Sequence, residues 1–308
     1  MNEAAPYQHV AVFMGGFSAE REVSLRSGAA VADGLRAAGY TVSVVDLVSP
    51  EWSVPDGVEA VFIALHGAYG EDGTVQAALE AAGIPYTGSG SAASRLAFDK
   101  LASKEAFVRA GLPTPAYCRV RPDEPLNGPL PAVVKPVRQG SSVGIHVVRH
   151  AEDWADAVAD AAKYDQELIV ETFIPGRELT VGVVAGEALP VLEICAPQGN
   201  YDYRAKYTAG VTTYHVPAPV PGPVAEHCRR LALAAFDVLG CTDLGRVDFR
   251  MNSANELFIL EVNTIPGFTA TSLLPKAAQA AGLSFERLCD TVMRAARLKG
   301  SAVVNNEY

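Results

Sequence analysis

Asp248, Glu261 and Asn263 fall within a single stretch, RVDFRMNSANELFILEVN (246–263), whose pattern is that of a β-hairpin. Its arms, RVDFRM and LFILEVN, alternate apolar with polar residues, and the turn-forming cluster Asn252 to Asn255 lies between them. Side chains two apart on a strand share a face, so Glu261 and Asn263 point the same way. A register that sets Asp248 opposite or near Glu261 makes all three converge. Three oxygen ligands, two of them anionic, suit a hard cation such as Mg²⁺ carried in with nucleotide phosphates. The plain alternative is a solvated hairpin with ordinary surface acids. The strand's end weighs against that, because it runs into Thr264-Ile-Pro-Gly267, a rigid turn.

Phosphate chemistry has further candidates. Gly140-Ser141-Ser142-Val143-Gly144 matches GxSxG, but a nucleophile elbow needs a strand before it and a helix after it. Here both flanks, VVKPVRQ and IHVVRH, are strand-like. A glycine-rich hairpin loop whose N–H groups and two hydroxyls close over phosphate fits better. Lys135 sits on the apolar strand VVKP, where a buried ammonium needs a partner anion, and phosphate is a natural one. An edge-strand lysine facing water is the alternative. Lys100 is a weaker candidate, since surface helices commonly carry lysines. Glu171 and Glu178 sit at strand ends beside the glycine-rich loop and can take adenine or ribose donors, or be merely solvated. His66 lies at the C-terminal end of a strand, the crevice side of a parallel sheet. Glu20 opens a helix, where the macrodipole favours a carboxylate whatever its function.

The surrounding pattern supplies the scaffold. Strands are expected at 9–14, 41–47 and 60–65, alternating with helices at 24–38 and 74–82; this implies a doubly wound parallel sheet with ligand loops at 15–20 and 66–73. A helix is expected over 94–110. Strands are expected at 132–137, 145–149, 167–173, 179–184 and 187–196, with a helix at 153–163. Residues 197–223 lack periodicity and read as a lid. Helices at 225–239, 273–281 and 284–299 complete the chain. The expected fold class is α/β, with a domain boundary near residue 93 where the pattern becomes richer in strands.

Bulk properties exclude some functions. The 308 residues are 49% hydrophobic and 19% charged, as in a folded protein. The net charge of −10, without a Lys/Arg block, disfavours nucleic acid. No apolar run is long enough to span a bilayer. The five cysteines form no CxxC pair, and the N-terminus lacks the charged and apolar regions of a secretory leader, so a reducing cytoplasm is expected.

Taken together, GGFSAEREVSL (15–25), ALHGAYGEDGTVQ (64–76), PYTGSG (85–90), DKLASK (99–104), VVKPVRQGSSVG (133–144), YDYRAKY (201–207), GRVDF (245–249) and EVNTIPGFTATSL (261–273) resemble the ATP-grasp ligases, specifically the D-alanine:D-alanine ligase family. The resemblance runs almost end to end, and it implies three domains: residues 1–93 an N-terminal α/β domain, 94–179 a central domain, and 180–308 a C-terminal domain carrying a lid loop at 198–216, with ATP held between the last two. Gln139, where an acidic residue is common, and Arg204, where glutamate is familiar, depart from the pattern. The resemblance implies ATP-dependent formation of D-alanyl-D-alanine for peptidoglycan precursors, through an acyl phosphate. It implies that Lys100, Lys135, Glu171 and Glu178 hold ATP, that the loop with Ser142 covers the phosphates, and that Lys206 reaches the γ-phosphate. Asp248, Glu261 and Asn263 are then ligands of two Mg²⁺ or Mn²⁺. Glu20, assisted by His66, holds the first ammonium. Arg246 and the Gly267 N–H stabilise the acyl oxygens, Ser272 and Lys206 take the second carboxylate, and Tyr207, Ser141 and Glu20 form a network linking lid to site. The expected partners are ATP and two D-alanine molecules, with a homodimer as the assembly. Three alternatives are a ligase of the same superfamily joining other acids, a serine hydrolase built on Ser142, and a non-catalytic nucleotide-binding module.

Overall fold

A computed structural model describes residues 5–196 and 212–299. It opens with alternating strands and helices: β1 (His9–Gly15), α1 (Arg21–Ala37), β2 (Thr41–Leu47), β3 (Ala60–Ile63) and α2 (Thr74–Ala81). The three strands form a parallel sheet in the order β2-β1-β3. β1 is its centre because it is apolar on both faces: Val10, Ala11, Val12 and Phe13 are all fully buried.

The expected helix over 94–110 is two helices, α3 (Ser91–Phe98) and α4 (Lys100–Arg109). Asp99 breaks the run. Its backbone is extended (ψ 105°), and its carboxylate caps α4 by accepting the Ala102 N–H at 3.0 Å. The Lys100 N–H, freed from helical bonding, donates to the Val137 carbonyl at 3.2 Å. The break thus ties α4 to the glycine-rich segment.

A four-stranded antiparallel sheet follows, from β4 (Tyr117–Val120), β5 (Ala132–Pro136), β6 (His146–Val148) and β7 (Leu168–Thr172), in the order β4-β7-β5-β6. β4, whose middle residues are exposed, was not foreseen. α5 (Trp154–Ala161) covers one face, with Trp154, Ala157 and Val158 in the core. Because β5 and β6 pair as a hairpin, the GxSxG segment leads into a strand, as expected of a glycine-rich hairpin loop and not of a nucleophile elbow.

The largest sheet contains β8 (Arg177–Val184), β9 (Glu187–Ala188), β10 (Leu192–Cys195), β11 (Thr213–His215), β12 (Leu244–Met251) and β13 (Leu257–Asn263), ordered β11-β10-β8-β12-β13 with β9 on β8. The single strand expected over 187–196 is split into β9 and β10. α6 (Gly222–Val238) starts earlier than expected, with Pro223 in its first turn, where the missing N–H costs nothing. Ala93, Ala97 and Phe107 of α3 and α4 share this sheet's core with Phe236 and Phe249. α7 (Leu273–Ala280) and α8 (Phe285–Arg294) return to the first sheet, where Leu274, Leu288 and Val292 pack with Val10, Val12 and Leu35. α8 ends at Arg294, short of the expected 299. Among the described residues no helix is long and apolar enough to cross a membrane.

Candidate active site

β12 and β13 pair as the alternation requires, Asp248 opposite Glu261 and Arg246 opposite Asn263, with a bulge after Asp248. The Asn252–Asn255 cluster makes the turn, closed by Asn252 Oδ1 accepting the Ala254 and Glu256 N–H groups at 2.9 and 3.0 Å. Asp248 is buried on β12, an interior strand, and accepts from Thr180 Oγ1 at 2.6 Å and from Arg246 Nε and Nη2 at 2.8 and 2.7 Å. Asn263 Oδ1 accepts the Ile265 N–H at 3.0 Å, which orients its side chain and shapes the turn after the strand. The donor set is all oxygen and fits a hard divalent cation. A carboxylate has about four lone-pair positions, so Asp248 can keep its protein partners and still contribute one oxygen.

The glycine-rich hairpin has an unusual tip. Ser141 and Ser142 take left-handed backbone (φ 50° and 58°), which non-glycine residues adopt only where tertiary contacts compensate. One compensation is visible. The Ser141 hydroxyl donates a hydrogen bond to Glu20 Oε1, across 121 residues of chain. Glu20 begins α1, yet its side chain makes no capping hydrogen bond. Glycines give it room: a Cβ on Gly140 or Gly67 would lie 2.9 or 2.8 Å from Glu20 Oε2 and push the carboxylate aside.

His66 is buried beside it. Ser27 Oγ lies 3.1 Å from His66 Nε2 and accepts the Phe268 N–H at 3.2 Å. On the other side of the ring, His66 Nδ1 lies 3.5 Å from Glu71 Oε1, so the imidazole stands between a hydroxyl and a carboxylate. Through this chain α1 positions the turn containing Gly267.

Lys100 is buried, not a surface lysine. Its Nζ donates to the Gln139 carbonyl at 2.7 Å and lies 3.5 Å from Glu261 Oε2, so it bridges the two hairpins. Lys135 has a protein anion where phosphate was the expected partner: Glu171 Oε2, at 2.8 Å. A second ammonium, Lys104, lies 3.2 Å from Glu171 Oε1 and donates to Thr114 Oγ1 at 2.6 Å. Burial pushes Lys104 down to about 8. Burial alone would raise the Glu171 carboxyl, but the two ammoniums outweigh it and hold the group below its ordinary value. Glu178 is half-buried and accepts from Arg250 at 3.3 Å.

A cavity of about 590 Å³ is lined by Glu20, His66, Lys100, Ser141, Arg246, Glu261, Asn263, Gly267 and Ser272. Lys135, Ser142, Glu171, Glu178 and Asp248 lie outside this lining. Lys206, Tyr207, Arg204 and most of the expected lid fall outside the described residues. The sequence reading missed Lys104, Tyr214 and Lys276. Lys104 had a signal, its i,i+4 spacing from Lys100, which puts both on one helix face. Lys276, one turn beyond Ser272, lines the cavity with its ammonium 4.3 Å from the Tyr214 ring centre. It had none.

An enzyme of the ATP-grasp class is what this arrangement defines, with a glycine-rich hairpin on one sheet facing a carboxylate-bearing hairpin on another. Residues 50–89 match the family described as D-ala D-ala ligase N-terminus, and residues 108–294 the one described as D-ala D-ala ligase C-terminus. A D-alanine–D-alanine ligase of Methylacidiphilum infernorum is 43% identical over 98% of this chain and 99% of its own length. One of Citrifermentans bemidjiense is 47% identical over 94% and 96%. The crystal structure of a D-alanine–D-alanine ligase from Bacillus anthracis complexed with ATP superposes with a TM-score of 0.81, at 30% identity, covering 93% of this chain and 96% of that one. The chain belongs to the D-alanine–D-alanine ligase family.

Proposed function

We propose that this protein joins two D-alanine molecules into D-alanyl-D-alanine while converting ATP to ADP and phosphate. The observation that carries the reading is the convergence of Glu20, Ser141, Arg246 and Glu261 on one cavity from three separate sheets or their loops. The first D-alanine carboxylate takes the terminal phosphoryl group of ATP and becomes an acyl phosphate, a far better electrophile. The second amine attacks the acyl carbon, and phosphate leaves. Glu20, held by Ser141, pairs with the first ammonium, and His66 supports that corner. Arg246 and the Gly267 N–H take the charge that develops on the acyl oxygen. Ser272 receives the second carboxylate. Lys100, Lys135, Glu171 and Glu178 hold the nucleotide, with Ser142 over its phosphates.

Asp248, Glu261 and Asn263 would hold two Mg²⁺, or Mn²⁺, and the ions would supply positive charge against that of the phosphates. Lys206 and Tyr207 are assigned to the γ-phosphate and to the Ser141–Glu20 network by resemblance alone. The three-domain division at 93 and 179, the homodimer, the cytoplasmic location and the role in peptidoglycan precursor synthesis belong to the same proposal. Phosphate release from ATP with Mg²⁺, measured with and without D-alanine and paired with chromatography of the dipeptide, tests it. Release independent of D-alanine, or of a product other than D-alanyl-D-alanine, refutes it.

A further inference from the structure

The antiparallel pairing of β10 with β11 sets Glu193 opposite His215 and Ile194 opposite Tyr214. Ile194 and Tyr214 pack with Leu273 on the cavity side. By strand alternation Glu193, Cys195 and His215 therefore share the other face. Their ligand atoms all lie within 4.8 Å of one another. Among the described residues they are the one such group of three His, Cys, Asp or Glu side chains. Cys195 Sγ is 3.8 Å and Glu193 Oε2 is 3.2 Å from His215 Nδ1.

Those separations have a direct reading. A tetrahedral zinc ion with a sulfur at about 2.3 Å and nitrogen and oxygen at about 2.0–2.2 Å sets sulfur and nitrogen about 3.6 Å apart, and nitrogen and oxygen about 3.3–3.4 Å apart. The observed distances differ from these by about 0.2 Å. The carboxylate is also held from behind. Arg177 Nε and Nη2 donate to Glu193 Oε1 and Oε2 at 2.6 and 2.7 Å, and Arg177 Nη1 donates to the Pro219 carbonyl at 3.1 Å. Outer hydrogen bonds of this kind orient metal-ligating carboxylates.

We propose that Glu193, Cys195 and His215 form a site for one divalent cation of the zinc class, on the face of the β10–β11 ribbon away from the cavity. Sulfur and imidazole ligands select such an ion over Mg²⁺, which requires an oxygen octahedron. Cys195 binds as the thiolate, its proton leaving to solvent. The thiolate and carboxylate neutralise the dication, and the fourth position is left to water. The ion staples β11, the edge strand, to β10 through side chains.

Co²⁺ titration of the full-length, metal-stripped protein tests this. A sulfur-to-metal charge-transfer band is expected to saturate at one equivalent and to disappear when Zn²⁺ is added. The cage of Asp248, Glu261 and Asn263 contains no sulfur and cannot produce that band. Cys195→Ser abolishes it. Cys118→Ser, which removes the other cysteine outside the core, leaves it intact. His215→Ala weakens binding by more than the roughly 10–100-fold that loss of an outer partner causes. No band in the wild type, a band surviving in Cys195→Ser, or unchanged affinity in His215→Ala overturns the proposal.

Discussion

Arg246 closes a two-point fork on Asp248 from two residues earlier on the same strand, with both side chains only about a tenth exposed. The expected oxyanion donor and an expected metal ligand are thus partners. The guanidinium supplies the positive charge that a buried carboxylate requires, and it also lines the cavity in which the proposed reaction puts charge on an acyl oxygen. On the proposed function, one residue would serve both stability and catalysis.

Arg246→Ala is therefore expected to lower turnover on the order of 10²–10³-fold. It should also destabilise the ligand-free protein by on the order of 3 kcal/mol, because Asp248 is left unneutralised. Mg²⁺ should recover part of that stability by restoring positive charge beside Asp248. Steady-state rates and urea unfolding with and without Mg²⁺ are the measurements. A variant as stable as the wild type means that Asp248 does not depend on the fork.

Glu261→Gln separates charge from shape. The Glu261 side chain is 34% exposed and sits 3.5 Å from Lys100. Stability should change by no more than about 0.5 kcal/mol. Turnover should collapse and stay low at raised Mg²⁺, since on the proposed function Glu261 would hold the cations and an amide lacks the negative charge to do so. Near-normal turnover removes Glu261 from the metal cage.

Lys104→Met bears on two pH windows. Glu171 is held below its ordinary value, so its contribution is present above the unfolded carboxylate range and is lost as pH falls through the folded value. Removing one ammonium shrinks that acid loss. Burial pushes Lys104 down to about 8, so the folded protein sheds this proton before the unfolded chain does. Stability should then rise with pH between about 8 and the unfolded lysine value of about 10.4, a slope the variant lacks. Unfolding free energies across both ranges check the signs, and a raised KM for ATP is the functional readout. Unaltered slopes mean that the Lys104–Glu171 pair does not titrate as described.

Lys276→Met probes the acceptor end of the cavity. The Lys276 ammonium and Ser272, the residue before α7, stand one turn apart and face the same space. A charge-assisted contact to the second carboxylate is worth roughly 1.5–3 kcal/mol, so KM for the acceptor D-alanine should rise about tenfold to a hundredfold. KM for ATP should hold. Equal losses for both substrates place Lys276 outside the acceptor subsite.

The β12–β13 hairpin, its turn and the register that sets Asp248 opposite Glu261 were legible in the sequence, as were β5, β6 and the loop between them. These are local features. A strand's alternation of two and the φ/ψ demands of Asn and Gly act within a few residues and leave a mark in the chain wherever they operate. Other relationships leave no such mark. Asp99 looks like an interior helix residue until its carboxylate is seen capping α4. Lys100 and Lys104 carry no sign of burial, because an ammonium enters a core only where distant elements bring it anions, here Glu261 and Glu171. Glu20 meets Ser141 across 121 residues, and Glu193, Cys195 and His215 gather because β10 pairs with β11. Periodicity determines which face of an element is apolar. The partner of a buried charge is decided only when the sheets and their loops abut, because the desolvation cost is offset by whichever groups the tertiary structure places within a few ångströms.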